Sequence, residues 1–82
     1  MEFWCLIKEF LNYEDYDRDV IVQHYKTEFR GLDEFFKYVN RYVNDNELED
    51  DEYKLETEDD NYCFSYYSDY VSISVSLEKI IL

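Results

Sequence analysis

Residues 70–77 read Tyr-Val-Ser-Ile-Ser-Val-Ser-Leu, the clearest alternating stretch in the chain. The aliphatic residues fall on odd positions and the serines on even positions, so an extended strand would carry them on opposite faces. Serines on an open face are typical of an antiparallel sheet with one solvated side. The stretch therefore predicts a strand with one face against a hydrophobic core.

Two further strands are predicted immediately before this one. Residues 62–67 are rich in aromatic side chains, and residues 53–58 alternate Tyr, Leu and Thr with Lys and Glu. Asp59-Asp60-Asn61 has the composition of a turn, and Ser68-Asp69 that of a short hairpin loop. The C-terminal part of the chain thus predicts three consecutive antiparallel strands.

Residues 32–44 carry the pattern of an amphipathic helix. Apolar side chains recur there at intervals of three and four residues, which places them along one helical face. These residues are Leu32, Phe35, Phe36, Val39, Tyr42 and Val43. Gly31 is the predicted N-cap, and Asp33 and Glu34 follow in the first turn, where the helix dipole favours negative charge.

The N-terminal part of the chain is β-prone. Residues 20–26 begin with three β-branched residues and predict a strand, whereas residues 11–19 predict a polar loop. Residues 2–10 predict another strand, although their apolar spacing also fits a helix. The order β-β-α-β-β-β places residues 1–82 in the α+β class as a single domain, with one helix packed on one face of an antiparallel sheet of about five strands.

Charge is the outstanding feature of the composition. Twenty-one acids and eight bases give a net charge of −13, well above the magnitude of about 2 to 8 that suits a small domain. Repulsion among the acids destabilises the folded state, so we expect the charge to serve binding to a basic protein surface. The alternative is that the acidity only provides solubility or reflects a high-salt habitat.

The acids are concentrated after the predicted helix. Residues 45–60 hold ten acids and a single base, Lys54, and such a block is usually solvated or engaged with a partner. On a strand, Glu56 and Glu58 would stand about 6.6 Å apart on one face, a separation of the same order as that between successive phosphates. The predicted partner-binding residues are Asp45, Glu47, Glu49, Asp50, Asp51, Glu52, Glu56, Glu58, Asp59, Asp60, Tyr67 and Tyr70.

Tyrosines accompany the acidic block and would supply rigid, amphipathic contact area of the kind found in interface hot spots. Tyr67 and Tyr70 are candidates for such contacts, and packing within the sheet is the open alternative. For Tyr62 and Tyr66 we expect packing against the sheet and the helix.

Catalytic and metal-binding patterns are absent from the sequence. The single histidine, His24, lies in a predicted strand, where we expect a half-buried structural role. Cys5 and Cys63 lie in apolar stretches and have no sequence neighbours that favour a reactive thiolate. We therefore predict a protein that is not an enzyme and that needs no cofactor and no metal.

Charge and hydropathy also indicate the compartment and the class of partner. The apolar N-terminal run lacks a basic n-region and is broken by Lys8 and Glu9, and no stretch approaches the ~20 apolar residues of a membrane span. We expect a cytoplasmic protein. Its charge should repel nucleic acid and anionic membranes, which leaves proteins as the expected partners of a monomer or homodimer.

In size, charge and its acidic 45–60 block, the chain resembles the small acidic proteins, encoded by phages and mobile elements, that inhibit CRISPR or restriction complexes. The resemblance lies in those features alone, so it assigns no role to any residue. It implies an inhibitor in the host bacterial cytoplasm that occupies the basic nucleic-acid-binding surface of a nuclease or CRISPR-type effector complex. The alternatives are an immunity or antitoxin-type protein that neutralises a basic toxin, and a small acidic homo-oligomeric structural protein.

Overall fold

The computed structural model describes residues 1–82. One helix and five strands follow one another in the order β-β-α-β-β-β, so the predicted α+β architecture is confirmed. The strands are β1 (Glu2–Asn12), β2 (Asp17–Tyr25), β3 (Lys54–Glu58), β4 (Asn61–Tyr67) and β5 (Val71–Ile81), and the helix is α1 (Glu28–Asp45). Residues 2–10 thus belong to a strand and not to a helix.

The strands form one antiparallel sheet in the order β2-β1-β5-β4-β3. β5 is the central strand and pairs with β1 along its whole length, from Ile81 opposite Glu2 to Val71 opposite Asn12. The alternation of residues 70–77 suits this position, because the central strand needs one face for the core. β2 and β3 are the two edge strands, on opposite sides of the sheet.

The hydrophobic core lies between α1 and one face of the sheet. Its members come from α1, β1, β4 and β5, and they are Trp4, Leu6, Phe35, Val39, Phe64, Ile73, Val75 and Leu77. Phe35 and Val39 are the buried apolar residues of the helix, in agreement with the predicted stripe. α1 does not have the length and apolar content that a membrane-crossing helix requires.

The start of α1 differs from the prediction. The helix begins at Glu28, and its N-cap is Thr27, whose Oγ1 accepts a hydrogen bond from the backbone N–H of Arg30 at 3.3 Å. Gly31 is buried inside the helix, where a Cβ would stand 3.0 Å from Cδ1 of Leu77. The prediction that Gly31 is the N-cap is wrong, since this glycine instead allows the helix to approach the sheet closely.

The predicted loop at residues 11–19 is also wrong for most of its length, because β1 and β2 run on until only the turn 13–16 separates them. Asn12 holds the turn: its Oδ1 accepts the backbone N–H of Glu14 at 3.0 Å. The polar run Asp17-Arg18-Asp19 can lie in a strand because β2 is an edge strand whose side chains are largely exposed.

The other face of the sheet carries no helix, and we call it the open face. Strand register assigns its side chains, and its two halves differ in character. On β1 and β2 most of them are apolar: Phe3, Cys5, Ile7, Leu11, Val20 and Val22. On β3 and β5 they include three carboxylates: Glu56, Glu58 and Glu78. The acidic half therefore lies toward the β3 edge.

Candidate functional site

β3 is the strand that carries the predicted row of carboxylates. All five of its residues are exposed, and β3 hydrogen-bonds to β4 alone, as an edge strand does. Glu56 lies opposite Cys63 of β4, and Glu58 lies opposite Asn61. Both glutamates point to the open face, while Leu55 and Thr57 point to the helix side. The chain thus holds two carboxylates in a fixed row along one edge of the sheet.

The acids before β3 lie in a segment that is ordered by its own hydrogen bonds. Asp45 is the last residue of α1, and its Oδ2 forms an ion pair with Nε of Arg41 at 3.7 Å. The backbone N–H of Glu49 donates to Oε1 of Glu52 at 3.0 Å, which closes a turn. The hydroxyl of Tyr53 donates to Oδ1 of Asp50 at 3.3 Å. Most of the side chains from 45 to 52 are exposed, so this acidic segment presents a folded surface.

The acids after β3 form the tight turn between β3 and β4. Asp59 has a φ of 47°, in the left-handed region that Asp tolerates better than most residues. Oδ2 of Asp60 forms an ion pair with Nζ of Lys79 at 3.7 Å, and the same Nζ lies 3.5 Å from Oε1 of Glu2. The structure therefore places acids before, along and after β3, and we call the whole surface of residues 45–60 the acidic edge.

Glu78 adds a carboxylate to the open face beside the acidic edge, although the sequence prediction did not include it. It lies in β5 opposite Asn61, on the same face as Glu56 and Glu58. Burial raises the pKa of the Cys63 thiol, and the nearby carboxylates of Glu56 and Glu78 raise this pKa further. The signal was present in the sequence, because Glu78 continues the even-numbered series of the serines of β5 onto the open face.

The two predicted contact tyrosines lie in different places. Tyr67 is 78% exposed and lines a groove of about 380 Å³ with Asp51, Glu52, Tyr53, Lys54, Ser65 and Tyr66. Tyr70 is 60% exposed and lies in the β4–β5 connection, where its carbonyl accepts the backbone N–H of Tyr13 at 2.8 Å. Tyr67 therefore belongs to the acidic edge, whereas Tyr70 lies beside the β1–β2 turn and away from β3.

Tyr62 and Tyr66 pack against the core, as the sequence predicts. The Tyr62 ring lies 6.2 Å from that of Phe35, and its hydroxyl donates to Oε1 of Glu28 at 3.0 Å. The Tyr66 ring lies 6.1 Å from that of Tyr42. These two tyrosines connect β4 to the helix, and they thereby fix the position of the strand that supports β3.

His24, Cys5 and Cys63 are the side chains that the sequence offers for nucleophilic or acid–base chemistry. His24 is exposed and not half-buried as expected, and its ring meets Phe3 edge-on at 5.2 Å. Burial raises the pKa of the Cys5 thiol, and Glu78 adds to the effect; Cys63 is affected in the same direction. Raised pKa values favour the protonated thiol over the reactive thiolate. No group of three or more His, Cys, Asp or Glu side chains is placed to hold a metal ion.

No protein-family model, curated protein or solved structure matches this chain.

Proposed function

We propose that the chain is a binding protein that inhibits a nuclease or CRISPR-type effector complex by occupying its basic nucleic-acid-binding surface with the acidic edge. Such a surface uses Lys and Arg side chains to neutralise phosphates, and the same side chains bind carboxylates well. The protein would bind to this basic surface in place of nucleic acid and so block the access of nucleic acid to the effector.

The observation that carries this proposal is the shortage of cations at the acidic edge. Of the ten acids in residues 45–60, only Asp45 and Asp60 form ion pairs within the chain. The one base of the segment, Lys54, forms no ion pair with any of them. A surface that concentrates so many unpaired carboxylates destabilises the fold by repulsion, and a cationic partner would relieve that repulsion.

The spacing of the carboxylates supports mimicry of a nucleic-acid backbone. Glu56 and Glu58 alternate along one face of β3 and so stand about 6.6 Å apart. Because β3 is paired with β4 and the preceding segment is hydrogen-bonded, the array is preorganised, which lowers the entropic cost of binding. Tyr67 adds an exposed aromatic side chain at one end of the row.

The test is a competition experiment with labelled nucleic acid bound to purified effector complexes and restriction nucleases. Increasing amounts of the chain are added, and fluorescence anisotropy reports the release of the nucleic acid. We expect release by the wild-type chain and a loss of potency of at least about tenfold, equivalent to about 1.4 kcal/mol, for the double variant Glu56→Lys/Glu58→Lys. Potency should also fall as salt rises.

The matched control is the double variant Glu14→Lys/Asp33→Lys, which makes the same change in net charge at exposed positions away from β3. Its potency should stay close to that of the wild-type chain. Equal losses in the two double variants would show that only overall charge matters, and they would contradict a specific role for the acidic edge.

A further inference from the structure

The opposite edge of the sheet, at β2, is unprotected. β2 pairs with β1 alone, and the middle of the strand is Val20-Ile21-Val22, with exposures of 47%, 51% and 50%. Edge strands usually carry charges, prolines or bulges that prevent pairing with another chain. The edge strand β3 follows this rule with Lys54, Glu56 and Glu58, whereas the centre of β2 has no such residue.

We infer that two copies of this chain pair through their β2 strands in antiparallel orientation, with the two-fold axis at Ile21, and form a continuous ten-stranded sheet. In this register Ile21 faces Ile21 of the second copy on the helix side. Val20 of each copy faces Val22 of the other on the open face. The three half-exposed aliphatic residues of each strand are then covered by the same residues of the other.

Other registers fit less well. A shift of one residue would set side chains of opposite faces against each other. A shift of two residues in one direction would place Val22 opposite Arg18, and a shift in the other direction would place Val20 opposite His24. Only the register centred on Ile21 matches all three aliphatic residues with aliphatic residues.

Charge is complementary at the ends of the paired strands in the same register, whereas nearer the centre Arg18 faces His24 and Asp19 faces Gln23. The turn end of β2 is acidic, with Asp15, Asp17 and Asp19, and the single Arg18 there is already paired with Glu9 at 3.4 Å. The other end leads to Lys26 and Arg30, which line a recess together with His24, Tyr25 and Thr27. Antiparallel pairing brings the acidic end of each copy to the basic end of the other.

The net charge of −13 is spread unevenly over the molecule, because ten of the 21 acids belong to residues 45–60, at the far edge of the sheet. With both β2 strands at the centre, nine strand spacings of about 4.8 Å separate the two β3 strands by roughly 43 Å. That distance is several times the Debye length of about 8 Å at physiological salt. The dimer would thus leave both acidic edges free, and its existence does not depend on what they bind.

Sedimentation equilibrium over a concentration series from micromolar to millimolar tests the dimer. The wild-type mass should rise with concentration to twice 10.2 kDa. Ile21→Lys should remain at the monomer mass throughout, because it sets two cations against each other at the two-fold axis. The matched control is Leu55→Lys, which makes the same change at a residue of similar exposure, 43%, on the β3 edge, and it should still dimerise.

A cross-linking experiment tests the register without relying on loss of association. Facing residues in an antiparallel pair have Cα atoms about 4.5 to 5.5 Å apart, which a disulfide spans. Under mild oxidation Ile21→Cys should therefore form a covalent dimer, and Leu55→Cys should not. A wild-type chain that stays monomeric at every concentration, or equal cross-linking of the two variants, would overturn the inference. The nucleic-acid competition experiment, repeated with Ile21→Lys, tests the proposed function separately, because this variant leaves the acidic edge intact.

Discussion

Cys63 lies among the carboxylates of the acidic edge and reports on their arrangement. Its thiol pKa is raised by burial first and then by Glu56 and Glu78, which reach it from the strands on either side of β4. A raised pKa leaves less thiolate at mildly alkaline pH, and thiolate is the form that reacts with alkylating agents.

We predict that Glu56→Gln and Glu78→Gln each accelerate alkylation of Cys63 by iodoacetamide, because each removes a negative charge that disfavours the thiolate. The rate is measured by mass spectrometry of the peptide that contains Cys63. Glu14→Gln, on the β1–β2 turn, is the control and should leave the rate unchanged. Unchanged rates in all three variants would mean that the two glutamates do not lie on a common face with Cys63.

At the residue scale, the residues of the candidate site could be chosen from the sequence, but their arrangement in space could not. The acids of 45–60 could be found from composition alone, and Tyr67 from its place beside them. Glu78 and Tyr70 depend on strand register, since Glu78 reaches the acidic edge across β4 while Tyr70 lies beside Tyr13. Register cannot be read from one strand, so neither the position of Glu78 nor that of Tyr70 could be predicted from the sequence.

The helix is the element whose start was misplaced. The cause is that Gly31 can serve either as an N-cap or as a site of close packing, and the sequence does not distinguish these two roles. Gly31 looks like an N-cap in sequence, but Thr27 provides the stronger cap, because its hydroxyl can accept a backbone N–H. The glycine allows close packing against Leu77 and Trp4. This tertiary contact cannot be predicted from the local sequence.

Thr27→Ala should lower the free energy of unfolding by about 1 kcal/mol, since it removes the hydrogen bond to the N–H of Arg30. Urea denaturation followed by circular dichroism measures the change. Thr27→Ser retains the hydroxyl and should cost much less. A loss of the same size in both variants would assign the effect to the threonine methyl group and not to the cap.

The strands were predicted in number and order but not in length. β1 runs two residues and β5 four residues beyond their predicted ends, and β2 begins three residues before its predicted start. The polar run Asp17-Arg18-Asp19 resembles a loop in composition, yet it extends β2, because an edge strand can expose charged side chains to water. A strand is recognised in a sequence by the alternation of apolar and polar residues that burial of one face produces. Residues 17–19 are exposed and therefore lack this alternation.

For the whole molecule, half-buried tyrosines and the half-buried thiol of Cys63 connect stability to alkaline pH. Burial raises the pKa of Tyr38 and of Tyr42 above the ordinary value of 10.0, and burial is also the main cause of the raised pKa of Cys63. Each group binds its proton more tightly in the folded state than in the unfolded state. Their contribution to stability is therefore fully present below the unfolded pKa and is lost as pH rises through the folded value.

We predict that the urea midpoint of unfolding falls above about pH 9, where the Cys63 thiol, the most acidic of these groups, is substantially ionised in the unfolded chain. Tyr42→Phe keeps the ring in the core without the hydroxyl, so its midpoint should fall less steeply than that of the wild-type chain. Tyr16→Phe alters a tyrosine that is 92% exposed and should behave as wild type. Parallel curves for all three proteins would contradict the linkage to buried tyrosine.

The molecule as a whole has two edges of opposite character, an acidic one at β3 and an aliphatic one at β2. The total charge follows from composition alone. The separation of the two edges could not be predicted from composition, because it depends on β5 crossing to the centre of the sheet and carrying β3 and β4 outward on one side.

Carboxyl footprinting of the chain, free and in complex with an effector from which it displaces nucleic acid, tests the central claim most directly. Carbodiimide-coupled labelling of each acid is measured by mass spectrometry. We expect complex formation to suppress labelling of Glu56, Glu58 and Asp59 while Glu14 and Asp33 remain labelled. Full labelling of the three β3-edge acids in the complex, with protection on another surface, would contradict the claim that the acidic edge binds the partner.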